Sequence, residues 1–318
     1  MDRIGIKEVD RVEILTLQDN YIDLLDQSSS AIISRAAPLK DMYIKNSIIA
    51  EHGFSALVRI SLGSETRALL FDFGYSNWGV LHNIDALGVN LNEIELACLS
   101  HGHMDHFGGM LNIVKTIERD RLDLVVHPAA FRPKRYIKFG EEIKVYFPAL
   151  DKKEVMDAGV NIVETTGPRS LLDGYVIFLG EIPRETAFEK GMPNGFYEED
   201  NGEIWDPIED DTAIVMNLRS KGLVVLSGCA HSGVINTVNH ARRVTGIENV
   251  HAIMGGFHLS GPVFEPIIAP TIDELKKIDP DYVIPTHCTG RSAMLQIEHE
   301  MPSKFLLNMS GTRMTFPS

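Results

Sequence analysis

The segment Ser100-His101-Gly102-His103-Met104-Asp105-His106 carries the most legible chemistry in this sequence. Imidazole and carboxylate are the donor types that bind zinc, iron or manganese, and here they crowd into one short stretch. The run Ile94 to Leu99 before it reads as a buried strand. Alternate residues of an extended chain share a face, so His101 and His103 are expected to point at one metal. Gly102 between them permits close backbone approach. Asp105 and His106 fall at the turn where Gly108 and Gly109 lead into a helix, and from there they are expected to reach a second metal.

Three more histidines repeat one pattern. His231 in Gly228-Cys229-Ala230-His231-Ser232-Gly233, His258 in Gly255-Gly256-Phe257-His258-Leu259 and His287 in Pro285-Thr286-His287-Cys288-Thr289-Gly290 each follow an apolar run and sit in a glycine-containing loop. Functional groups collect where strand ends deliver loops to one place. His231 and His287 are therefore expected as the remaining ligands, and His258 as a residue of the same pocket. A thiolate beside a metal binds it or lines the pocket, so Cys229 is expected to be a ligand or a wall rather than a nucleophile. His127, before Pro128, suits either a pocket wall or a structural role, and His52 in Glu51-His52-Gly53 is a second candidate for lining the pocket. His82, His240, His251 and His299 lie in ordinary helix or strand contexts. Arg132-Pro133-Lys134-Arg135 either holds a substrate phosphate or is a solvated turn. No phosphate-binding loop, dinucleotide fingerprint or nucleophile elbow is present.

Strands must carry these loops. Short β-branched runs at Ala56 to Ile60, Ala68 to Asp72, Leu122 to Val126, Tyr175 to Leu179, Leu223 to Leu226, Val250 to Met254 and Tyr282 to Pro285 read as strands. Helical periodicity predicts helices over Met110 to Arg121, Val234 to Thr245, Ile272 to Ile278 and Arg291 to Glu300, and the mixture without internal repeats predicts a layered α/β architecture. Residues 28–50 and 190–211 are irregular, and read either as lids over the site or as plain surface connections. No linker divides the chain, so residues 1–318 are expected to form one domain.

Composition narrows the ligand. The 318 residues carry 44 acidic and 30 basic side chains, a formal net charge of -14, with no basic stripe of the kind that grips a phosphate backbone. A small molecule is expected, with a local basic pocket still able to hold one phosphate. Three cysteines, few and odd in number, indicate no disulfide framework, and Cys98 in its apolar run reads as core packing. The N-terminus lacks a signal-peptide pattern and no apolar run is long enough to span a bilayer, so the cytoplasm is the expected compartment. Self-association into a homo-oligomer stays open.

Ser100 to His106 resembles the His-x-His-x-Asp-His signature of the metallo-β-lactamase superfamily. Together with Glu51 to Gly53, His127-Pro128, Gly228 to Gly233, Gly255 to Leu259 and Pro285 to Gly290, it is similar to a subgroup of metal-dependent hydrolases related to the archaeal dihydropterin–ribofuranosylaminobenzene phosphate synthase. The resemblance implies a four-layer αββα sandwich with two divalent metal ions at one edge, zinc first, with iron and manganese as alternatives. It implies His101 and His103 at the first metal, and Asp105, His106 and His287 at the second. The usual pattern has another first-site histidine and then a bridging aspartate. Here no histidine falls between His127 and His231, and Gly228-Cys229 stands where Gly-Asp is common, so Cys229 takes the bridging position and His231 the missing ligand's place. The implied reaction is hydrolysis of a small ester or phosphoester. Asp105 would orient the nucleophile, His258 would donate to the leaving group or bind substrate, and His52, His127 and Arg135 would contact substrate. Two alternatives remain: alkyl transfer between a dihydropterin methyl diphosphate and an aminobenzene ribose phosphate with pyrophosphate release, and a di-iron redox or binding protein.

Overall fold

The computed structural model describes residues 3–36, 39–40, 43–44, 47–119 and 121–318. Two β-sheets carry the fold. The larger has eight strands in the order Val160–Glu164, Leu122–Val126, Ile94–Cys98, Glu65–Phe71, Ser55–Leu62, Arg11–Gln18, Arg313–Pro317 and Ile33–Ser34. Its first four strands are mutually parallel and the rest antiparallel. The second sheet has seven strands in the order Arg169–Leu171, Val176–Phe178, Ala213–Leu218, Gly222–Ser227, Val250–Gly256 and Tyr282–Thr286, with Glu8–Val9 added beside Ala213–Leu218. Its last three strands are parallel.

Strict alternation along the strands stacks the layers, because successive side chains leave a strand on opposite faces. In the first sheet Ala56, Val58, Leu69, Phe71, Cys98 and Val125 face the second sheet, meeting Ile214, Met216, Val224, Leu226, Met254 and Ile284 in one buried cluster. The intervening Leu57, Leu70, Ala97, Leu124 and Val126 turn outward. There they pack under α1 (Gly79–Leu87) and α3 (Met110–Thr116), which precede and follow the four-residue α2 (Met104–Phe107) in sequence, and under α4 (Lys152–Asp157). On the far side Val215, Val225 and Ile253 face α5 (Val234–Thr245), α6 (Glu265–Ile278) and α7 (Arg291–Glu300). Helices, sheet, sheet, helices is the expected αββα order. Cys98 is fully buried in the inter-sheet cluster.

The strand and helix expectations met the structure with instructive differences. α6 begins at Glu265, before the expected Ile272; Pro266 in its first turn and Pro270 inside it masked that first half in the sequence. α3 stops at Thr116, with Ile117 already extended. The stretch 190–211 is not a plain loop. It contains the hairpin Gly195–Glu199 and Gly202–Trp205, which joins Arg135–Phe139 and Ile143–Tyr146 in a four-stranded antiparallel sheet. In 28–50, Ile33–Ser34 closes the edge of the large sheet and Leu39–Lys40 pairs with Tyr43–Ile44; residues 37–38, 41–42 and 45–46 lie outside the described residues.

Candidate metal centre

Register puts the site at one edge. In the first sheet Phe71 lies level with Cys98, and Cys98 with Val125; in the second, Ser227 lies level with Gly255, and Gly255 with Pro285. The parallel strands therefore end together, and the loops after them meet across the sandwich. Gly228 marks the meeting point: a Cβ there would collide with the Ser100 hydroxyl of the opposite sheet and stand 3.0 Å from Asp72 Oδ2. Only glycine fits this approach.

Asp72, absent from the sequence expectations, organises the first half. It is fully buried at the end of Glu65–Phe71. Its carboxylate accepts the Ser100 amide at 2.7 Å and the Ser100 hydroxyl at 2.7 Å, and pairs with His106 Nδ1 at 2.6 Å. The Ser100 hydroxyl also lies 2.9 Å from His101 Nδ1. Two imidazoles are thus fixed on their Nδ1 side, leaving Nε2 to face inward. The signal for Asp72 in sequence was an acid directly after an apolar strand, with no histidine beside it to draw attention.

The inward nitrogens crowd together. His101 Nε2 is 3.1 Å from His103 Nδ1 and 3.2 Å from His231 Nε2. His106 Nε2 is 3.2 Å from Cys229 Sγ, and His287 Nε2 is 3.2 Å from Asp105 Oδ2. Asp105, His106, Cys229 and His287 offer donor atoms within 4.8 Å of one another, and so do His101, Cys229 and His231. Cys229 belongs to both groups. His52 stands at the mouth, its side chain 63% exposed and its ring 3.6 Å from Asp105. His258 stacks near His231, with ring centroids 4.2 Å apart. His127 stays outside these groups; its Nδ1 accepts the Ala129 amide at 3.2 Å, capping a short turn.

Arg135 is buried against carboxylates rather than presented to a ligand. Its guanidinium pairs with Asp206 at 2.9 Å and grips Asp210 with both terminal nitrogens, while Asp210 also accepts the Gly102 amide at 2.7 Å. The expectation that it holds a substrate phosphate does not suit these surroundings. Three residues away, Arg132 is held by Glu209 and Asp206, so both arginines of this patch are already paired. The pair Arg135–Asp210 instead clamps the backbone between His101 and His103.

Charge follows from burial. Burial, reinforced by its histidine neighbours, holds His101 well below the usual imidazole range, and the same causes act on His231. Burial lowers His103 to about 3, with Arg135 adding to it. His106 goes the other way: burial opposes its charge, but Asp72 and Asp105 outweigh it and raise the group to about 9. Burial also opposes the Asp105 carboxylate, yet His106 and His287 hold it well below the usual range. The centre therefore combines uncharged imidazoles on His101, His103 and His231 with a His106 ring held in its charged form between Asp72 and an ionised Asp105. Buried His103 Nε2 and His231 Nδ1 have no hydrogen-bond partner, and the inward nitrogens of the cluster meet only one another, Cys229 and Asp105. A buried donor or acceptor left unpaired costs stability, and several converging lone pairs fit a cation.

Comparisons with known proteins agree with this geometry. Residues 49–169 match the family model of the metallo-beta-lactamase superfamily. The chain is 28% identical, over 95% of its length and 96% of the relative's, to a 7,8-dihydropterin-6-methyl-4-(beta-D-ribofuranosyl)-aminobenzene-5'-phosphate synthase of Methanocaldococcus jannaschii. It is 32% identical to an uncharacterized protein of the same organism, over 78% of this chain and 88% of that one. Among solved structures, Tm1679, a metal-dependent hydrolase of the beta-lactamase superfamily, superposes with a TM-score of 0.72 at 22% identity, covering 96% of this chain and 100% of that one.

Proposed function

The chain belongs to the metallo-β-lactamase superfamily, and from that premise we propose that it is a cytoplasmic enzyme that hydrolyses a small ester or phosphoester at a two-metal centre. One observation carries this reading: Asp105, His106 and His287 on one side and His101 and His231 on the other bring their donor atoms together around a single shared thiol, Cys229. His101, His103 and His231 would hold one cation, and Asp105, His106 and His287 the other, with Cys229 between them. Zinc is the metal we propose, because imidazole, carboxylate and thiolate all suit it. When bound, such a pair of cations lowers the pKa of water and neutralises charge developing on a substrate oxygen.

The remaining work falls to the chain's own groups. Asp105 stays ionised beside His106 and His287 and accepts a hydrogen bond from the attacking water, orienting it. His258, on the cleft side next to Phe264, donates to the leaving group or holds substrate. His52 at the exposed mouth contacts the part of the substrate that protrudes. Asp72 and Ser100 hold His101 and His106 in the required tautomers. Among the described residues no helix is long and apolar enough to cross a membrane.

The test joins elemental analysis of the purified protein to a screen of phosphodiester, phosphomonoester, lactone and pterin diphosphate substrates. We expect transition metal in the preparation and a loss on the order of a hundredfold or more in His103→Ala. A metal-free protein, with His103→Ala fully active, would sink the proposal. A second reading is favoured by the 28% identity spanning nearly all of both chains: transfer of a dihydropterin methyl group to an aminobenzene ribose phosphate. Pyrophosphate released only when both substrates are present would select it over hydrolysis.

A further inference from the structure

The groups assigned so far leave one cysteine unused. Cys288 follows the expected ligand His287, is 8% exposed, and forms no disulfide. Its thiol lies 3.5 Å from the Cys229 carbonyl oxygen. Cys229 Sγ, Cys288 Sγ and a ring nitrogen of His258 lie within 4.8 Å of one another, a third potential ligand group beside the two already described. Nδ1 of His258 is buried and has no hydrogen-bond partner. The approach of the two cysteine loops depends on Gly256: a Cβ there would stand 2.5 Å from Cys288 Sγ, 2.6 Å from the Gly228 carbonyl and 3.1 Å from Cys229 Cα. Any larger residue would wedge the thiols apart.

Two sulfurs and one imidazole are a soft donor set, selective for zinc-class thiophilic cations over magnesium, calcium or manganese. Three protein ligands are the number found where a zinc site keeps one position open, whereas closed structural sites use four. Of the three, His258 reaches the cleft that His231, Lys190, Gly191 and Phe264 also line. We propose that Cys229, Cys288 and His258 form a thiolate-rich subsite for a zinc-class cation, contiguous with the histidine-rich centre and open toward the cleft. On ligation each thiol gives up its proton to solvent and its sulfur binds as thiolate. The subsite makes Cys229 a hinge ligand, shared between the histidine centre and this outer position. The inference rests on the metal-centre reading above, so its test separates the two.

The full-length protein is stripped with chelator and titrated with cadmium, following thiolate-to-metal charge transfer in the ultraviolet, with circular dichroism confirming the fold of each variant. The subsite predicts that Cys288→Ser and, independently, Cys288→Ala lose about half of the band, because one of two thiolates is gone. His258→Ala should keep the band but weaken cadmium binding by about tenfold or more. If the wild-type band vanishes in Cys229→Ser yet is unchanged in both Cys288 variants, the metal centre stands and the outer subsite is wrong. If the wild-type protein takes up no cadmium and no zinc, the metal centre itself is wrong, and the subsite with it.

Discussion

Asp72 and Arg135 are the two side chains whose roles the structure redefined, and both act through other residues. Asp72 makes no approach to a substrate, yet it fixes Ser100 and His106 at 2.6–2.7 Å. Partners of this kind orient metal-ligating imidazoles and typically contribute 10–100-fold in metal affinity. Asp72→Asn is therefore expected to weaken zinc binding by about that factor while circular dichroism stays native; unchanged affinity by competition with a chelating dye would refute the positioning role. Arg135 lies 2% exposed between Asp206 and Asp210. Removing one partner of a buried ion pair leaves an uncompensated charge and costs about 3–5 kcal/mol. Arg135→Met should show that loss in urea denaturation. A stable Arg135→Met protein with only a raised KM for a phosphorylated substrate would restore the substrate-binding role.

At the scale of elements, α5 starts on a borrowed cap. Glu189, from the loop before it, accepts the Ile235 amide at 2.9 Å and the Asn236 amide at 2.9 Å, filling two of the helix's free donors. Burial nevertheless dominates these bonds and raises Glu189 from 4.5 to about 7. A carboxyl raised in the folded state binds more protons there than in the unfolded chain. Its contribution is thus fully present below pH 4.5 and lost as pH rises through 7. The shift corresponds to about 3 kcal/mol across that window, to order of magnitude. Glu189→Gln should remove this part of the pH dependence, read as a flatter stability curve between those limits. An unchanged slope would place the titrating group elsewhere; Asp211, which burial raises to about 6, is the next candidate.

At the scale of the molecule, one cluster joins the two sheets, from Val12 and Phe71 on one side to Met216 and Met254 on the other. Neither sheet can lose the other without exposing that face, and we propose that the whole chain unfolds as one domain. Heating or denaturant should give a single cooperative transition with coincident spectroscopic probes; two separated transitions would divide the chain. The proposed metal centre draws its candidate donors from both sheets, so a cation bound there would be lost on unfolding. The midpoint temperature should rise with zinc concentration and fall in chelator, as mass action requires.

Much of this was legible in sequence, for a physical reason. Ligand residues at strand ends, the segment Ser100 to His106 above all, are local patterns, since a strand fixes which neighbours share a face and a glycine fixes which backbone can turn. Alternating hydrophobicity likewise announces a strand and its two faces, so Leu122 to Val126 and the layered class could be read directly. Partnerships between distant segments leave no local trace. Asp72 bonds Ser100 and His106 from another strand, Arg135 spends its charge on Asp206 and Asp210 some seventy residues on, and the hairpin in 195–205 exists because Arg135–Phe139 offers it an edge. The sequence determined the candidate donors and the kind of fold that presents them; parallel register and the approach of two sheets decided which of these candidates meet, and that Cys229 stands where all three groups meet.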